Sequence, residues 1–222
     1  NLSSAVLLGA TGFAMIYLSG APLRHLAVPV GAGAITGLVM LQTHPYQMER
    51  VRSFIHFVMT GELDTYGSGW QLEQSLIAIG SGGWHGRGLG GGLQKYLFLP
   101  EAHTDFIFSI LAEELGFIGA TFLLVLIALL LWRSLRVTAR TSDPFLFLLA
   151  GGLTLQIGLY ALVNLAVATG LAPTTGLPLP FVSYGGSALL ANLAAAGLLY
   201  RISAANASHE ALARQRWSRE AA

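Results

Sequence analysis

The sequence predicts an all-α integral membrane protein, a bundle of helices that crosses a bilayer several times. Of its 222 residues, 54% are hydrophobic and only 10% are charged, and the mean hydropathy is +0.62. Soluble domains carry about 25% charged residues, so a water-soluble globular protein is excluded. The apolar runs approach the roughly 20 residues that a helix needs to cross a bilayer, and they lack the alternation typical of barrel strands.

Five segments have this length and apolar character, and we predict each to be a transmembrane helix because unpaired backbone groups are not tolerated in lipid. They are Leu2–Ser19, Leu23–Gln42, Asp105–Trp132, Phe145–Thr169 and Ser187–Ser203. The second is interrupted by Pro29 and several glycines. The membrane domain is therefore expected over residues 1–204, with a basic tail over 205–222. The start, NLSSAVLLG, has neither an initiator methionine nor the basic stretch of a signal peptide, so we expect it to lie inside a longer protein.

Arginine placement predicts the orientation of the helices, since basic residues concentrate in cytoplasmic loops. Arg24 follows the first segment, three arginines lie between the third and fourth segments, and three more lie in the tail. These regions alternate to one side, which is therefore the cytoplasm. Two loops then face outward, a long one from Thr43 to Thr104 and a second outer loop over residues 170–186.

Charge and cysteine content exclude other classes of function. The net charge is +1 and no basic block resembles a nucleic-acid footprint, so no nucleic-acid partner is expected. Cysteine is absent, which excludes disulfides and thiolate metal sites.

The long outer loop is too long for a simple connector. Gln71–Ile79 has helical spacing of apolar residues and is predicted to be a short amphipathic helix at the membrane surface. The following GSGGWHGRGLGGG lacks the lysine and hydroxyl residue of a phosphate loop. Its glycines are typical either of a flexible connector or of a close backbone approach.

Asp105 is the candidate for chemistry, because a carboxylate at a membrane boundary is costly and is commonly functional. We predict it in the first turn of the third helix, with Thr104 as the N-cap. An acid there also complements the helix dipole, and the residues alone do not separate the two interpretations. Glu113 and Glu114 lie about 12 Å deeper, and we predict them to be structural or secondary acids bonded to Gln156 or Asn164.

Cations in the long outer loop are candidates for binding a diphosphate or lipid headgroups, namely Arg50, Arg52, Arg87 and Lys95. His103 and Asp105 form half a metal site without a clear third ligand, and a solvated histidine is the alternative. The second outer loop is stiffened by Pro178 and Pro180 and carries Phe181 and Tyr184, which is typical of a wall-forming loop or a rigid turn.

Three motifs in these loops resemble the SEDS family of bacterial cell-wall polymerases (FtsW, RodA and SpoVE). They are GSGWQLEQSLIAIGSGGWHGRGLG, LQKYLFLPEAHTDFIFSILAEELGFIG and PTTGLPLPFVSYGGS, in that order along the chain. The resemblance covers nearly the whole sequence and implies the last five of ten spans. The QK before the second motif and the form of the third look most like the division and sporulation branch, although Thr175 stands where some division-type members have lysine.

The resemblance implies peptidoglycan glycosyltransfer from lipid II at the outer face of the bacterial inner membrane during septal wall synthesis. The essential acid of the family's HTDF motif falls on Asp105, the implied catalytic base. The other implied substrate contacts, to diphosphate or sugar, are Arg50, Arg87, Lys95, Glu101, His103, Ser183, Tyr184 and Gly185. No cofactor is certain, although a divalent cation, Mg or Mn, would assist the leaving diphosphate.

The implied partners are lipid II, membrane lipid, a class B penicillin-binding transpeptidase and other division proteins. The alternatives are a lipid II flippase, an elongation-type polymerase of the same family, and a non-catalytic scaffold of the division machinery. A flippase would distribute polar groups through the bilayer depth. This sequence instead concentrates them at the outer face, which favours the enzyme.

Overall fold

The computed structural model describes residues 2–63, 67–94 and 103–220, and within these ranges it is helical with no strand. The described ranges contain seven helices: α1 (Leu2–Leu18), α2 (Leu23–Thr43), α3 (Pro45–Thr60), α4 (Gly67–Ser81), α5 (Ile107–Arg140), α6 (Pro144–Ala168) and α7 (Gly186–Glu220). The predicted all-α membrane fold is confirmed. The predicted tail over 205–222 continues α7 as a helix to Glu220.

Three of the described helices are long and apolar enough to cross a membrane, namely α5, α6 and the Gly186–Ser208 part of α7. The two N-terminal helices are less clear. Helix α1 has 17 residues, and within α2 the described apolar stretch is Ala27–Gly37. Helix α2 has Arg24 and His25 in its first turn and contains Pro29 and several glycines, which lower its hydropathy. The first two spans therefore stay a prediction.

Helix α6 lies at the centre of the bundle and packs against α1, α4, α5 and α7. Near its C-terminal end, Ala161 and Ala168 form a buried cluster with Phe108 of α5 and Leu179 of the second outer loop. Near its N-terminal end, a second cluster joins α6 to α7, formed by Ala150, Ile157, Ala195, Leu199 and Ile202. Alanines form most of the first cluster and contribute Ala150 and Ala195 to the second, as expected where membrane helices approach closely.

The described part of the long outer loop contains two helices, whereas one was predicted. Helix α3 begins with Pro45 and ends at Thr60, and Gly61, with a φ of 75°, is its C-cap. The sequence pattern did not reveal it because its apolar residues are mixed with Glu49, Arg50, Arg52 and His56. Helix α4 contains the predicted amphipathic segment, but its inner face is buried by the bundle.

The buried face of α4 is fixed by a polar contact. The Ser75 and Ser109 hydroxyls lie 2.6 Å apart, and Ser75 Oγ also donates to the Ala168 carbonyl at 2.7 Å. Ser75 and Ser109 are both fully buried. This contact joins α4, α5 and α6 below the outer surface. Helix α4 is thus part of the membrane domain's core.

Helix α5 is broken at Gly116, where φ is 67° and ψ is −167°. The glycine-rich loop (residues 82–94) lies against the break and replaces the lost helical hydrogen bonds. The Phe117 amide donates to the Gly83 carbonyl at 2.8 Å instead of to Glu113. In exchange, the Glu113 carbonyl accepts from the Arg87 amide at 3.0 Å.

The same exchange occurs one residue further along. The Ile118 amide donates to the Trp84 carbonyl at 3.3 Å, and the Glu114 carbonyl accepts from the Gly88 amide at 3.0 Å. A Cβ on Gly86 would lie 2.1 Å from the Glu114 carbonyl oxygen, so only glycine allows this approach. The glycine-rich loop is therefore a closely packed backbone contact, and the flexible-connector alternative does not describe it.

Replacing Gly86 with alanine is expected to destabilise the protein more than replacing Gly88. Both glycines have positive φ, 76° and 89°, so each alanine carries a backbone cost of about 1–2 kcal/mol. Only at Gly86 does the new Cβ also collide with backbone, whereas nothing lies within 4 Å of a Cβ on Gly88. The unfolding midpoints of the two variants in detergent test this. Equal midpoints would contradict the close contact.

Candidate functional site

Asp105 lies in a turn before α5 (residues 103–106, here the Asp105 turn), and the prediction that it is in the first helical turn is wrong. Helix α5 begins at Ile107, and the N-cap position is Phe106, without a side-chain cap. Thr104 is therefore not the N-cap. The reason is that the carbonyls of Thr104 and Asp105 are bonded to other segments, so the first helical acceptor is the Phe106 carbonyl. Asp105 itself is half-buried.

Asn164 connects the Asp105 turn to the second outer loop (residues 170–186). Its Nδ2 donates to the Asp105 carbonyl at 2.8 Å and to the Leu177 carbonyl at 2.7 Å. The side chain is 1% exposed, and its Oδ1 is buried without a hydrogen-bond partner among the described residues. Since a buried carbonyl without a donor costs about 1–3 kcal/mol, Asn164 stabilises the position of both segments.

Ser183 and Tyr184 make a second connection between the same two segments. The Ser183 hydroxyl donates to the Thr104 carbonyl at 2.5 Å and accepts from the Leu179 amide at 2.7 Å. The Tyr184 amide donates to the His103 carbonyl at 2.9 Å. The Tyr184 ring is 81% exposed, and His103 is also exposed.

The second outer loop is rigid where it meets the Asp105 turn. Leu177 and Leu179 are fully buried, and Phe181 has a φ of 66°, unusual for a residue other than glycine. Gly185 is half-buried and directly precedes α7. These observations agree with a wall-forming loop. The structure thus brings together Asp105, His103, Ser183, Tyr184 and Gly185.

Arg50 reaches the second outer loop from α3. Its Nη1 donates to the Thr174 carbonyl at 3.1 Å, its Nη2 donates to the Tyr46 hydroxyl at 2.6 Å, and the guanidinium stacks over the Tyr46 ring at 4.5 Å. The half-buried guanidinium is held close to the loop without a carboxylate partner among the described residues. Arg52 lies apart from it, in an open groove shared with Glu49 and His56.

Glu113 is bound to the glycine-rich loop, so the predicted partners Gln156 and Asn164 are wrong. Its carboxylate accepts from the Leu93 amide at 2.9 Å and the Gln94 amide at 3.3 Å, and it lies 3.6 Å from Arg87 Nη1. Glu113 is 1% exposed. The neighbouring Glu114 accepts from the Gly90 amide at 3.1 Å. The break at Gly116 turns this part of α5 toward the loop, which supplies backbone donors nearer than α6.

Arg87 is consequently engaged in an ion pair and is less suited to a diphosphate than an unpaired arginine. Lys95 and Glu101 lie outside the described residues. In the ranges that are described, no group of three or more histidines and carboxylates could hold a metal ion. The His103–Asp105 pair thus has no third ligand of these types within those ranges.

Asn164 is the residue whose importance sequence reasoning missed. The sequence suggests it only as a partner for the glutamates. One signal was available, since it is an amide in the last turns of an otherwise apolar helix, where a buried polar side chain needs a specific partner. The sequence contains no comparable signal for the backbone amides that bind Glu113, because every residue except proline has such an amide.

Comparison with known proteins gives a consistent result. The family described as cell cycle protein (FtsW, RodA and SpoVE) matches residues 1–208. "Probable peptidoglycan glycosyltransferase FtsW" of Halorhodospira halophila is 46% identical over 204 residues, which cover 90% of this chain and 51% of that protein. "Stage V sporulation protein E" of Bacillus subtilis is 41% identical over 205 residues, covering 91% of this chain and 54% of that protein.

Two solved structures are also similar. One comes from work on structural coordination of polymerization and crosslinking by a peptidoglycan synthase complex, with TM-score 0.63, 36% identity, and coverage of 89% of this chain and 53% of that one. The other is the rod shape determining protein RodA of Thermus thermophilus, with TM-score 0.56, 30% identity, and coverage of 91% and 50%. The chain spans about half the length of the proteins it matches.

Asn164→Asp is expected to loosen the Asp105 turn, because a carboxylate cannot donate to the two carbonyls and would bury a charge. We expect the free energy of unfolding to fall by about 3 kcal/mol. We also expect faster amide hydrogen exchange in residues 103–106. Thr154→Val is the matched control, since that buried hydroxyl donates only to Ala150 in its own helix. Unchanged exchange in Asn164→Asp would contradict the connection.

Glu113→Gln is expected to release the glycine-rich loop. Each carboxylate oxygen accepts from one backbone amide, and in glutamine one of these oxygens becomes an NH2 group that cannot accept. Arg87→Gln should have a smaller effect, since the Arg87 side chain is 38% exposed and its ion pair is screened by solvent. Hydrogen exchange at Leu93 and Gln94 measures the release. A larger effect from Arg87→Gln would show that the ion pair, not the amides, holds the loop.

Proposed function

Because this chain belongs to the FtsW/RodA/SpoVE family of cell cycle proteins, we propose that it is part of a peptidoglycan glycosyltransferase and carries the catalytic carboxylate, Asp105. One observation carries the proposal. The half-buried acid lies in a turn outside any regular helix, and Asn164 and Ser183 connect that turn to the rigid second outer loop. A carboxylate that only complemented a helix dipole would not need such a setting.

The proposed reaction joins two lipid II molecules. The Asp105 carboxylate accepts the proton of the acceptor's GlcNAc 4-hydroxyl as general base. That oxygen forms a bond to C1 of the donor's MurNAc, with inversion. The bond from C1 to the diphosphate oxygen breaks, and the lipid diphosphate leaves with the electron pair.

The leaving diphosphate requires positive charge to stabilise it in the transition state. Among the described candidates Arg50 is best placed, because Thr174 and Tyr46 orient its guanidinium and no described carboxylate neutralises it. The ion pair with Glu113 makes Arg87 a weaker candidate. Lys95 and a divalent cation stay predictions. The described residues do not supply a metal-binding set, so no step here depends on one.

The proposed substrate and partners follow from the relatives. The glycosyltransferase relatives support lipid II as the substrate. The similar structure from a peptidoglycan synthase complex supports a class B penicillin-binding transpeptidase as partner, since that work concerns polymerization and crosslinking. Relatives named FtsW and stage V sporulation protein E favour a septal role over an elongation role. The membrane-spanning helices are then located in the bacterial inner membrane.

The flippase alternative fits the described helices less well. Buried hydroxyls of Thr11, Ser134, Thr138 and Thr154 all donate to carbonyls of their own helices. Gln156 is exposed midway along α6, but one amide does not make a polar path across the bilayer. The polar contacts between segments concentrate at the outer end of the bundle, as surface chemistry requires.

The test is polymerisation of lipid II by the intact protein with its transpeptidase partner in liposomes. We expect Asp105→Asn and Asp105→Ala each to reduce the rate at least 100-fold, the lower end of general-base contributions. Asp143→Asn is the matched control, because that acid caps α6 at the other end of the bundle and should leave polymerisation unchanged. Wild-type rates in both Asp105 variants would remove this residue from the mechanism.

A further inference from the structure

Three arginines form a stripe at the end of α5 opposite the Asp105 turn. Arg133, Arg136 and Arg140 are spaced at i, i+3 and i+7, so they lie on one face of the helix. All three are exposed, and Arg136 stacks over the Trp132 ring at 4.0 Å. No carboxylate in the described part of the chain forms an ion pair with any of them. The next acid along the chain, Asp143, accepts from the Leu146 amide instead.

The stripe lines a pocket between α5 and α7. The pocket has a volume of about 120 Å³, and Ser203, Asn206 and Ala207 of α7 form its other wall. Asn206 fixes this wall, since its Nδ2 donates to the Thr141 hydroxyl at 2.9 Å and to the Val137 carbonyl at 3.3 Å. The pocket therefore combines a fixed wall with three cations that no described acid neutralises.

An apolar groove of about 380 Å³ continues from this pocket toward the middle of the membrane. Arg133, Val137 and Ser203 line both spaces. Deeper in the groove, Leu129 and Leu130 of α5 face Ala196 and Leu199 of α7, with Ile157 of α6. A polar cationic pocket thus opens directly into a channel suited to hydrocarbon.

We propose that this pocket and groove bind one anionic glycerophospholipid of the inner leaflet, with its phosphate among the three arginines and an acyl chain along the groove. Charge complementarity selects this occupant: a zwitterionic lipid carries a cation that the arginines repel, and a free phosphate leaves the groove without a ligand. Basic pockets between membrane helices on the cytoplasmic side are known to suit such headgroups. The site is separate from the Asp105 turn, and the proposal does not depend on the glycosyltransferase assignment.

The test measures lipid binding to the intact protein in detergent by native mass spectrometry, with phosphatidylglycerol, phosphatidylcholine and inorganic phosphate as probes. Since an arginine near the surface contributes about 1 kcal/mol toward anionic lipid, Arg133→Gln should weaken phosphatidylglycerol binding about fivefold. The triple variant Arg133→Gln, Arg136→Gln, Arg140→Gln should weaken it roughly a hundredfold. Phosphatidylcholine and inorganic phosphate should bind far more weakly to the wild type.

Arg201→Gln is the matched control, because Arg201 is an exposed α7 cation that lines neither space. Phosphatidylglycerol binding by Arg201→Gln should stay within about twofold of wild type, below the fivefold effect expected per lining arginine. Ala196→Phe, which fills the groove and keeps all three arginines, should also weaken phosphatidylglycerol binding. If Arg133→Gln fails to fold, two single variants, Arg133→Lys and Ala196→Phe, replace it in the comparison. Arg133→Lys keeps the charge and should keep phosphatidylglycerol binding, whereas Ala196→Phe should weaken it. Equal losses in Arg133→Gln and Arg201→Gln, or equal binding of the two lipids, would overturn the proposal.

Discussion

The arrangement of the outer segments depends on backbone groups that have no helical partner, just before α5 and at its break. Backbone amides and carbonyls buried in a membrane protein need partners, because each unpaired group costs several kcal/mol in lipid. At the break, the glycine-rich loop supplies the donors and acceptors that Glu113, Glu114, Phe117 and Ile118 lack. At the start, the side chains of Asn164 and Ser183 supply donors to the Asp105 and Thr104 carbonyls. Pairing at these two points joins α5 to the glycine-rich loop, and it joins the Asp105 turn to α6 and the second outer loop.

This pairing has a functional consequence for the acid. The Asp105 turn is positioned by the side chains of Asn164 and Ser183, which donate to the Asp105 and Thr104 carbonyls. The second outer loop, rigid around Leu177 and Leu179, then forms one side of the same region. A reacting group held within a fixed frame is what proton transfer at a defined atom requires.

Sequence reasoning predicted the helical class, which the structure confirms, because hydrophobic run length is a local signal. The outward side of the two loops and the role of Asp105 stay predictions. Sequence reasoning did not find α3, whose polar and apolar residues are mixed, or the break in α5, since Gly116 is one glycine among several in an apolar run. The partners of Glu113 were assigned wrongly for a related reason. They are backbone amides of a loop about 20 positions earlier, and such donors exist at every residue.

The second outer loop combines a property that its local sequence indicates with contacts to residues distant in the sequence. Its prolines indicated stiffness, but the Ser183 hydroxyl that binds the Thr104 carbonyl lies 79 residues away in sequence. Contacts at that separation depend on how α5, α6 and α7 pack. Asn164 is the clearest example, since its two acceptors lie in different segments.

The most direct test of the account measures glycan polymerisation by intact Asn164→Asp protein against Thr154→Val, with kcat and KM determined separately. If Asn164 positions the Asp105 turn for chemistry, kcat falls by at least tenfold while KM for lipid II changes little, and Thr154→Val stays near wild type. A folded Asn164→Asp protein with a wild-type kcat would contradict the claim that this connection supports catalysis.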